Sequence, residues 1–278
     1  MDLYTNVSFA ISKMVTNRYS TSFSMATALF DKKTRDAIYS IYGFVRVADE
    51  IVDTFHEYDK VFLLENFISQ YKEDSLIGLS TNPILHSFIK TIQEYSIEEE
   101  LIDAFLKSMK FDLTKKDYEK EEDIEEYIYG SAEVVGLMCL RIFANNNNEL
   151  YERLKTPARK LGSAFQKVNF LRDLHADSEL LGRQYFPEFI SNNYTEDQKR
   201  KVVKVVEMEF VDSLKGIKEL PKRDLLAVYS AYLYYLALLQ KIERTPIDKL
   251  KKERVRISNT HKILLLFKAV FIHKLGLV

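Results

Sequence analysis

The chain has 278 residues, of which 46% are hydrophobic, and it contains only 8 glycines and 5 prolines. This scarcity of turn residues disfavours β-rich and α/β folds, and the formal net charge of −1 argues against a nucleic-acid-binding protein. The one cysteine, Cys139, excludes an internal disulfide, and no apolar run reaches the roughly 20 residues of a membrane span. The interrupted N-terminus does not resemble a signal peptide. We therefore expect one all-α domain over residues 1–278, cytoplasmic or at most peripheral at a membrane, with no nucleic acid as partner.

A cluster of hydroxyl groups follows the first predicted helix, which covers residues 3–17. Hydroxyls directly before an apolar run most often cap the start of a helix. The same hydroxyls, with the free N–H groups of a helix start, could also bind an anion. The cluster consists of Tyr19, Ser20, Thr21, Ser22 and Ser24.

The next predicted helix begins after Asp31 and ends near Phe55. Four of its polar side chains follow one another at intervals of four, three and four residues, so they share one face. Taken alone, they could form an ordinary ion pair within the helix, worth under about 0.5 kcal/mol. These side chains are Tyr42, Arg46, Asp49 and Asp53.

A further predicted helix, residues 127–143, carries Tyr129 and then small residues on an apolar background. Small side chains most often allow close helix packing, but they could instead leave room for a long ligand. The charged run before this helix is typical of a solvated face. The small residues are Gly130, Ser131, Ala132 and Gly136.

A later predicted helix carries Gln166, Asn169, Asp173 and Asp177 at intervals of three, four and four residues, between apolar flanks. Their oxygen atoms therefore share one face. Two carboxylates one turn apart repel each other, more strongly as the dielectric constant falls, and a divalent cation with oxygen ligands would balance them. The alternative is a surface face on which Arg172 supplies an ion pair.

Two D-x-x-x-D pairs thus lie on apolar helices more than a hundred residues apart in the chain. Salt-bridged surface helices do not need this pairing, whereas a cleft that holds metal ions between two facing helices does. Carboxylates with arginine and hydroxyl groups suit a diphosphate bridged by Mg²⁺, or by Mn²⁺ in its place. Because the interior is apolar and rich in aromatic residues, we expect metal-assisted ionisation of an allylic diphosphate.

The segment from Lys249 to Ile272 joins a basic stretch to an apolar one. It could bind weakly to an anionic membrane, or it could pack as a C-terminal helix on the core. The sequence leaves both possibilities open.

Five motifs in order resemble the squalene/phytoene synthase family over nearly the whole chain. Each motif is weak alone, but the ordered set is highly specific. The resemblance implies the class I isoprenoid synthase helical fold with a central cleft. The motifs are Tyr19-Ser20-Thr21-Ser22-Phe23-Ser24, Tyr42-x-x-x-Arg46-x-x-Asp49-Glu50-x-x-Asp53, Tyr129-Gly130-Ser131-Ala132-x-x-x-Gly136, Gln166-x-x-Asn169-x-x-Arg172-Asp173-x-x-x-Asp177 and Arg183-x-Tyr185-Phe186-Pro187.

The resemblance also implies roles for individual residues. The aspartates and Tyr129 would be catalytic. The metal ligands would be Asp49, Asp53, Asn169, Asp173 and Asp177. The substrate-binding residues would be Tyr19, Ser20, Thr21, Ser22, Tyr42, Arg46, Gln166, Asn169, Arg172 and Tyr185. In the tail the match is poorer: Tyr235 and Arg254 are the best equivalents, and Arg256 is an alternative to Arg254.

The reaction that the resemblance implies is head-to-head condensation of two prenyl diphosphates through a cyclopropyl diphosphate. The Arg183 motif resembles bacterial phytoene synthases, so we expect phytoene from two geranylgeranyl diphosphates, without NADPH. A squalene or dehydrosqualene synthase acting on farnesyl diphosphate is the first alternative. A terpene cyclase is less favoured because its usual motifs are not matched, and a non-catalytic helical scaffold would gain nothing from mutually repelling carboxylates.

Overall fold

The computed structural model describes residues 2–114, 121–175, 185–186 and 195–278. Every regular element in these ranges is helical, which confirms the all-α prediction. A π-helical segment, Tyr129–Glu133, joins α7 to α8. The α-helices are α1 (Leu3–Tyr19), α2 (Thr21–Thr27), α3 (Lys32–Asp53), α4 (Lys60–Ile77), α5 (Pro83–Tyr95), α6 (Glu99–Thr114), α7 (Glu121–Ile128), α8 (Val134–Ala144), α9 (Asn148–His175), α10 (Glu196–Ile217), α11 (Lys222–Arg244), α12 (Ile247–Leu250) and α13 (Asn259–Lys274).

Several of these helices begin at local capping signals in the sequence. The Asp31 carboxylate accepts hydrogen bonds from two backbone N–H groups in the first turn of α3. The Ser20 hydroxyl accepts a hydrogen bond from the N–H of Phe23 and so caps α2. Thr195 and Gln198 form a reciprocal capping box at the start of α10. The commoner interpretation of the hydroxyl cluster, a helix cap, is therefore correct for Ser20.

Helices α3 and α9 each pack against several neighbours within one hydrophobic core. Helix α3 contacts α1, α5 and α8, and α9 contacts α8, α10 and α11. Phe44 of α3 is fully buried and stacks on Phe88 of α5, with 3.9 Å between the ring centroids. The central position of α3 and α9 brings their two polar stripes into the interior of the bundle.

Helix α1 confirms the helix predicted at the N-terminus, but apart from Phe9 the residues that it buries carry hydroxyl groups. Thr5, Ser8, Ser12 and Thr16 are buried, and the Ser12 hydroxyl lies 2.8 Å from that of Ser87 on α5. Because buried hydroxyls need hydrogen-bond partners, this contact satisfies groups that would otherwise oppose packing. Apolar residues of the same helix, among them Leu3, Val7 and Met14, are exposed.

The small residues that follow Tyr129 allow close helix packing. A Cβ atom on Gly130 would lie 2.6 Å from the backbone oxygen of Ala104, and one on Gly136 would lie 3.1 Å from that of Ala158. From the other side of this contact, a Cβ on Gly162 would lie 2.7 Å from the backbone oxygen of Ala132. At Gly130 and Gly162 these distances leave no room for a side chain, so both glycines allow close helix packing. At Gly136 the neighbouring backbone would have to shift by a few tenths of an ångström.

Two helical stretches, Glu122–Ala144 and Lys222–Arg244, have the length and mean hydropathy, 1.3, of a membrane span. In each of them 56% of the tested window is buried inside the protein. Core helices pass the same test, so these stretches are weak indicators of a membrane protein.

Candidate active site

An elongated cavity of about 600 Å³ lies within the bundle. It is lined by residues of α1, α2, α3, α6, the π-helical segment and the helices from α7 to α11. On α9 the lining residues recur every three or four positions from Leu154 to Asp173, as expected for one helix face. At 1.5 Å per residue, the 19 steps between these two residues correspond to about 28 Å. The cavity therefore follows most of the length of α9.

The end of the cavity near Leu154 is apolar. Pro157 of α9, Phe143 of α8 and Leu220 after α10 also line this end. A Cβ atom on Gly216 would lie 2.5 Å from the Pro157 ring, so α10 reaches this wall only because Gly216 lacks a side chain. This end suits a hydrocarbon rather than a charged ligand.

The other end carries the polar stripe of α3. Arg46 donates to Asp49 at 2.6 Å and to Glu50 at 2.5 Å, and its guanidinium lies 4.4 Å from the centroid of the Tyr19 ring. The Arg46 Nε is buried and has no hydrogen-bond partner among the described residues. Burial raises the pKa of Tyr42 to about 12, so its hydroxyl stays protonated at neutral pH. An arginine with one spare donor beside neutral hydroxyl groups can accept an anion.

The polar stripe of α9 meets the C-terminal tail at the same end. The Asp173 carboxylate accepts two hydrogen bonds from Arg172, at 2.5 and 3.0 Å. Arg254 pairs with the same carboxylate at 2.6 Å. Burial acts to lower the pKa of Arg172, but the bonds to Asp173 outweigh it and raise that pKa. Two guanidinium groups therefore converge on one carboxylate.

Aromatic side chains line the space next to the charged end. Tyr235 of α11 stacks on Phe165 of α9 at 3.9 Å, and its hydroxyl lies 3.4 Å from the Asn169 amide oxygen. Phe170 stacks on Tyr185 at 4.0 Å, with 8° between the ring planes. Ring faces carry partial negative charge, so these walls can stabilise a cation that is kept away from water.

The donor atoms near the charged end suit a hard divalent cation. Asp49, Asp53, Asn169 and Asp173 all line the cavity and offer only oxygen ligands, which Mg²⁺ prefers. No group of three His, Cys, Asp or Glu side chains among the described residues has metal-binding geometry. Asp177 lies outside the described residues, so the full predicted set is not represented. The chemistry of the donors fits the metal, and in the structure the Asp49 and Asp173 carboxylates bond to arginines.

Most of the predicted site residues line this one cavity. Of the two tail arginines, Arg254 lines the cavity and bonds to Asp173, whereas Arg256 is not part of the lining. The roles assigned to these residues stay predictions. The predicted residues that line the cavity are Tyr19, Ser20, Ser22, Tyr42, Arg46, Asp49, Asp53, Gln166, Asn169, Arg172, Asp173, Tyr185, Tyr235 and Arg254.

Thr21 and Tyr129 do not belong to the cavity lining. Thr21 is exposed and accepts a hydrogen bond from Lys262 of α13 at 2.9 Å. The Tyr129 ring lies under the guanidinium of Arg159, 5.1 Å from its centroid. The π-helical turn that begins at Tyr129 places Ser131 and Ala132 on the cavity side instead.

The lining also contains polar residues that were not predicted as site residues, among them Asp112 and Ser131. Asp112 of α6 accepts a hydrogen bond from the Tyr127 hydroxyl at 2.9 Å, and both residues line the cavity. The signal for Asp112 was available, because it follows Phe105 and Met109 at helical spacing. Ser131 has a buried hydroxyl without a partner among the described residues. No sequence pattern predicted the π-helical turn that orients Ser131.

A family model described as squalene/phytoene synthase matches residues 16–261. The chain belongs to this family. This confirms the resemblance drawn from the five motifs. The match runs from the end of α1 to the start of α13, and so contains every residue that lines the cavity.

Curated relatives are phytoene synthases from bacteria and plants. The 15-cis-phytoene synthase of Enterobacter agglomerans is 27% identical, and the alignment covers 90% of each chain. Phytoene synthase 1 of Zea mays, a chloroplastic protein, is 26% identical over 91% of this chain and 65% of its own length. The chain thus spans slightly less than two thirds of the length of this plant relative.

Solved structures confirm the fold. A dehydrosqualene synthase superposes with a TM-score of 0.83 at 22% identity, covering 97% of this chain and 98% of the other. A squalene synthase from Alicyclobacillus acidocaldarius gives a TM-score of 0.76, also at 22% identity, and covers 88% and 96%. The predicted isoprenoid synthase helical fold is therefore correct.

Proposed function

We propose that this protein is a metal-dependent prenyltransferase that condenses two geranylgeranyl diphosphates head to head and releases diphosphate, with phytoene as product. The observation that carries the proposal is the cavity itself: its charged end bears both polar stripes, and the remainder is long and apolar. Relatives named phytoene synthase, at 26–27% identity, support the choice of product.

Mg²⁺ would be held by Asp49, Asp53, Asn169 and Asp173. Asp177, which lies outside the described residues, would complete this set. When bound, the metal would neutralise the carboxylates and the substrate diphosphate together and so favour its departure as a leaving group. Mn²⁺ has the same ligand preference and could take its place.

The arginines at the charged end would hold the diphosphate. In the structure Arg46, Arg172 and Arg254 bond to carboxylates, and such bonds exchange readily for phosphate oxygens, which offer the same bidentate geometry. Ser20, Ser22, Tyr42 and Gln166 line the same region and can donate further hydrogen bonds. These side chains would fix where the C1–O bond breaks.

The aromatic walls would protect the cations that form after each ionisation. C1 of the first substrate bonds to the double bond of the second, loss of a proton closes the cyclopropane ring, and the second diphosphate then leaves. A final proton loss gives the central double bond of phytoene. Phe165, Phe170, Tyr185 and Tyr235 would exclude water during these steps, and a departed diphosphate or a tyrosine-bound water would accept the protons.

A dehydrosqualene or squalene synthase acting on farnesyl diphosphate is the second candidate. Two solved structures that share the fold, each at 22% identity, are those of a dehydrosqualene synthase and a squalene synthase. Likeness at this identity shows the fold and leaves the substrate open. We further propose a single domain over residues 1–278, a cytoplasmic location with peripheral membrane contact, no nucleic-acid partner and no requirement for NADPH.

Product identification tests the proposal. The purified protein is incubated with Mg²⁺ and either C15 or C20 prenyl diphosphate, with and without NADPH, and the hydrocarbons are identified by gas chromatography with mass detection. We expect phytoene from the C20 substrate, with rate and product unaffected by NADPH. Squalene that forms only with NADPH would establish the second candidate, and absence of any hydrocarbon would favour a scaffold.

A further inference from the structure

Helix α13 and its C-cap expose an apolar stripe. Leu264, Phe267, Phe271 and Leu275 follow at intervals of three, four and four residues and are 61%, 67%, 65% and 56% exposed. That spacing places them on one face. Two phenylalanines side by side, each about two-thirds exposed, form an unusual surface for a helix at the edge of a soluble bundle.

The opposite face of α13 is already packed. Ala269 is fully buried, Ile272 packs against the hydrophobic core, and α13 contacts α11. A helix that is apolar on both faces normally has both faces covered. Because the inner face holds α13 in place, the outer stripe has no packing role among the described residues.

The charge around the stripe is of one sign. Residues 254–278 contain five Lys and Arg residues and no Asp or Glu, although the whole chain has a net charge of −1. Lys268 and Lys274 lie next to the stripe on α13. By contrast α10, which also exposes apolar residues, contains five acidic and five basic residues. A basic rim around an apolar stripe complements an anionic lipid surface.

The start of α13 lies beside the charged end of the cavity. Lys262 donates a hydrogen bond to the Thr21 hydroxyl at 2.9 Å, and Thr21 stands between two cavity-lining serines. The Lys262 ammonium also lies 5.7 Å from the ring centroid of Tyr234, another lining residue. Any surface to which α13 binds would therefore lie close to the charged end of the cavity.

We propose that the outer face of α13 binds an anionic lipid bilayer, with the apolar stripe at the headgroup–acyl boundary and the lysines on the headgroups. The binding itself is independent of the proposed function. Its use rests on that function, since prenyl diphosphates are amphipathic lipids and the condensed product is a hydrocarbon.

Vesicle co-sedimentation without substrate tests this proposal. Vesicles of phosphatidylcholine are compared with vesicles that also contain phosphatidylglycerol, at low and at high salt. We expect binding to the anionic vesicles only, weakened by salt. Phe267→Ser with Phe271→Ser, and separately Lys268→Gln with Lys274→Gln, should each reduce the partition coefficient on the order of tenfold.

The matched control changes exposed apolar residues on a helix without the basic rim: Met208→Ser with Val211→Ser on α10, 55% and 59% exposed. Its partition coefficient should equal that of the unmodified chain. All variants alter exposed side chains outside the cavity lining, so thermal unfolding and turnover of detergent-dispersed substrate should be unchanged. That turnover reports the proposed function separately from vesicle binding.

Two results would overturn the proposal. The first is equal pelleting of the unmodified chain and both α13 variants, or no pelleting with anionic vesicles at low salt. The second is a dimer in sedimentation velocity that the phenylalanine variant abolishes while vesicle binding is absent, which would assign the stripe to a second copy of the chain.

Discussion

Asp173 is the residue at which the charges of the site converge. Its carboxylate bonds to Arg172 on the same helix and to Arg254 from the tail, with Nε–Oδ1 distances of 3.0 and 2.6 Å. A carboxylate in a half-buried cleft needs a counter-charge because its desolvation is unfavourable. Under the proposed function Asp173 would be one of the residues that hold the cation, and Arg172 and Arg254 would then be available to bind the diphosphate.

Replacing this carboxylate tests that role. Asp173→Asn, or Asp53→Asn on α3, should lower kcat/KM by roughly two orders of magnitude. This corresponds to a loss of at least about 3 kcal/mol of transition-state stabilisation. The double variant should lose far less than the sum of the two single losses, because under the proposed function both aspartates would serve the same metal site. Initial rates of diphosphate release with C20 substrate and Mg²⁺ provide the measurement.

The matched control is Asp212→Asn on α10, where the carboxylate bonds to exposed Lys215 and lies outside the cavity lining. Both site variants should unfold at temperatures close to that of the unmodified chain. A folded Asp173→Asn protein that still releases diphosphate at the original rate would show that this carboxylate is not part of the machinery.

At the scale of single residues, helical spacing indicated many of the predicted site residues. Arg46, Asp49 and Asp173 were found because polar residues recur on otherwise apolar helices, and the structure places all three on the cavity. The π-helical segment Tyr129–Glu133 shows the limit of that reasoning. A π-helical turn changes the angle per residue, so positions after it no longer obey the spacing that a regular helix would give.

At the scale of single helices, the contact between α9 and the π-helical segment shapes the cavity wall. Gly162→Ala would place a Cβ 2.7 Å from the backbone oxygen of Ala132, which cannot move aside as a side chain can. We expect this variant to lose about 1–3 kcal/mol of unfolding free energy. Gly136→Ala, with 3.1 Å to the backbone oxygen of Ala158, should lose less.

Urea unfolding of the two glycine variants, followed by circular dichroism, measures these losses. The order of the two effects is the informative result. Equal stability of Gly162→Ala and the unmodified chain would mean that the two backbones separate without strain.

The start of α3 gives a pH-dependent prediction. Burial acts to raise the pKa of Asp31, but its hydrogen bonds from Thr34 and Lys33 outweigh it and hold that pKa below its ordinary value of 3.8. A depressed pKa stabilises the fold above the ordinary value, and this contribution is lost as the pH falls through the folded-state pKa. Asp31→Ala should therefore cost about 1 kcal/mol at neutral pH.

Unfolding free energies of Asp31→Ala and the unmodified chain should converge as the pH is lowered below 3.8, because the protonated Asp31 no longer accepts these bonds as strongly. Urea titrations at neutral and acidic pH make the comparison. A difference that is constant over this range would show that the charge of Asp31 contributes nothing to the cap.

Helix α1 shows what the sequence does not reveal about an element. Its existence follows from periodicity, but the hydroxyl face with Ser12 is buried and the face with Leu3 is exposed. Which face of α1 is buried depends on Ser87 and other partners on α5, which are distant in the sequence. Patterns within one helix cannot supply that information, because burial is decided by the neighbours.

At the scale of the whole molecule, the all-α architecture followed from composition, since few glycines and prolines leave few turns. The family followed from ordered motifs rather than from any one of them. The depth of the cavity and the exposed stripe of α13 could not be predicted. Both depend on which faces meet, as the contact of Gly216 with Pro157 illustrates at the apolar end.

The central claim is that two prenyl diphosphates react with each other in this one cavity. The most direct test is the ratio of diphosphate released to hydrocarbon formed when the purified protein turns over C20 diphosphate with Mg²⁺. Head-to-head condensation requires two diphosphates for each product molecule, and that product has twice the carbon number of the substrate. One diphosphate per hydrocarbon of unchanged carbon number would instead show cyclisation or elimination of a single substrate, and would contradict the claim.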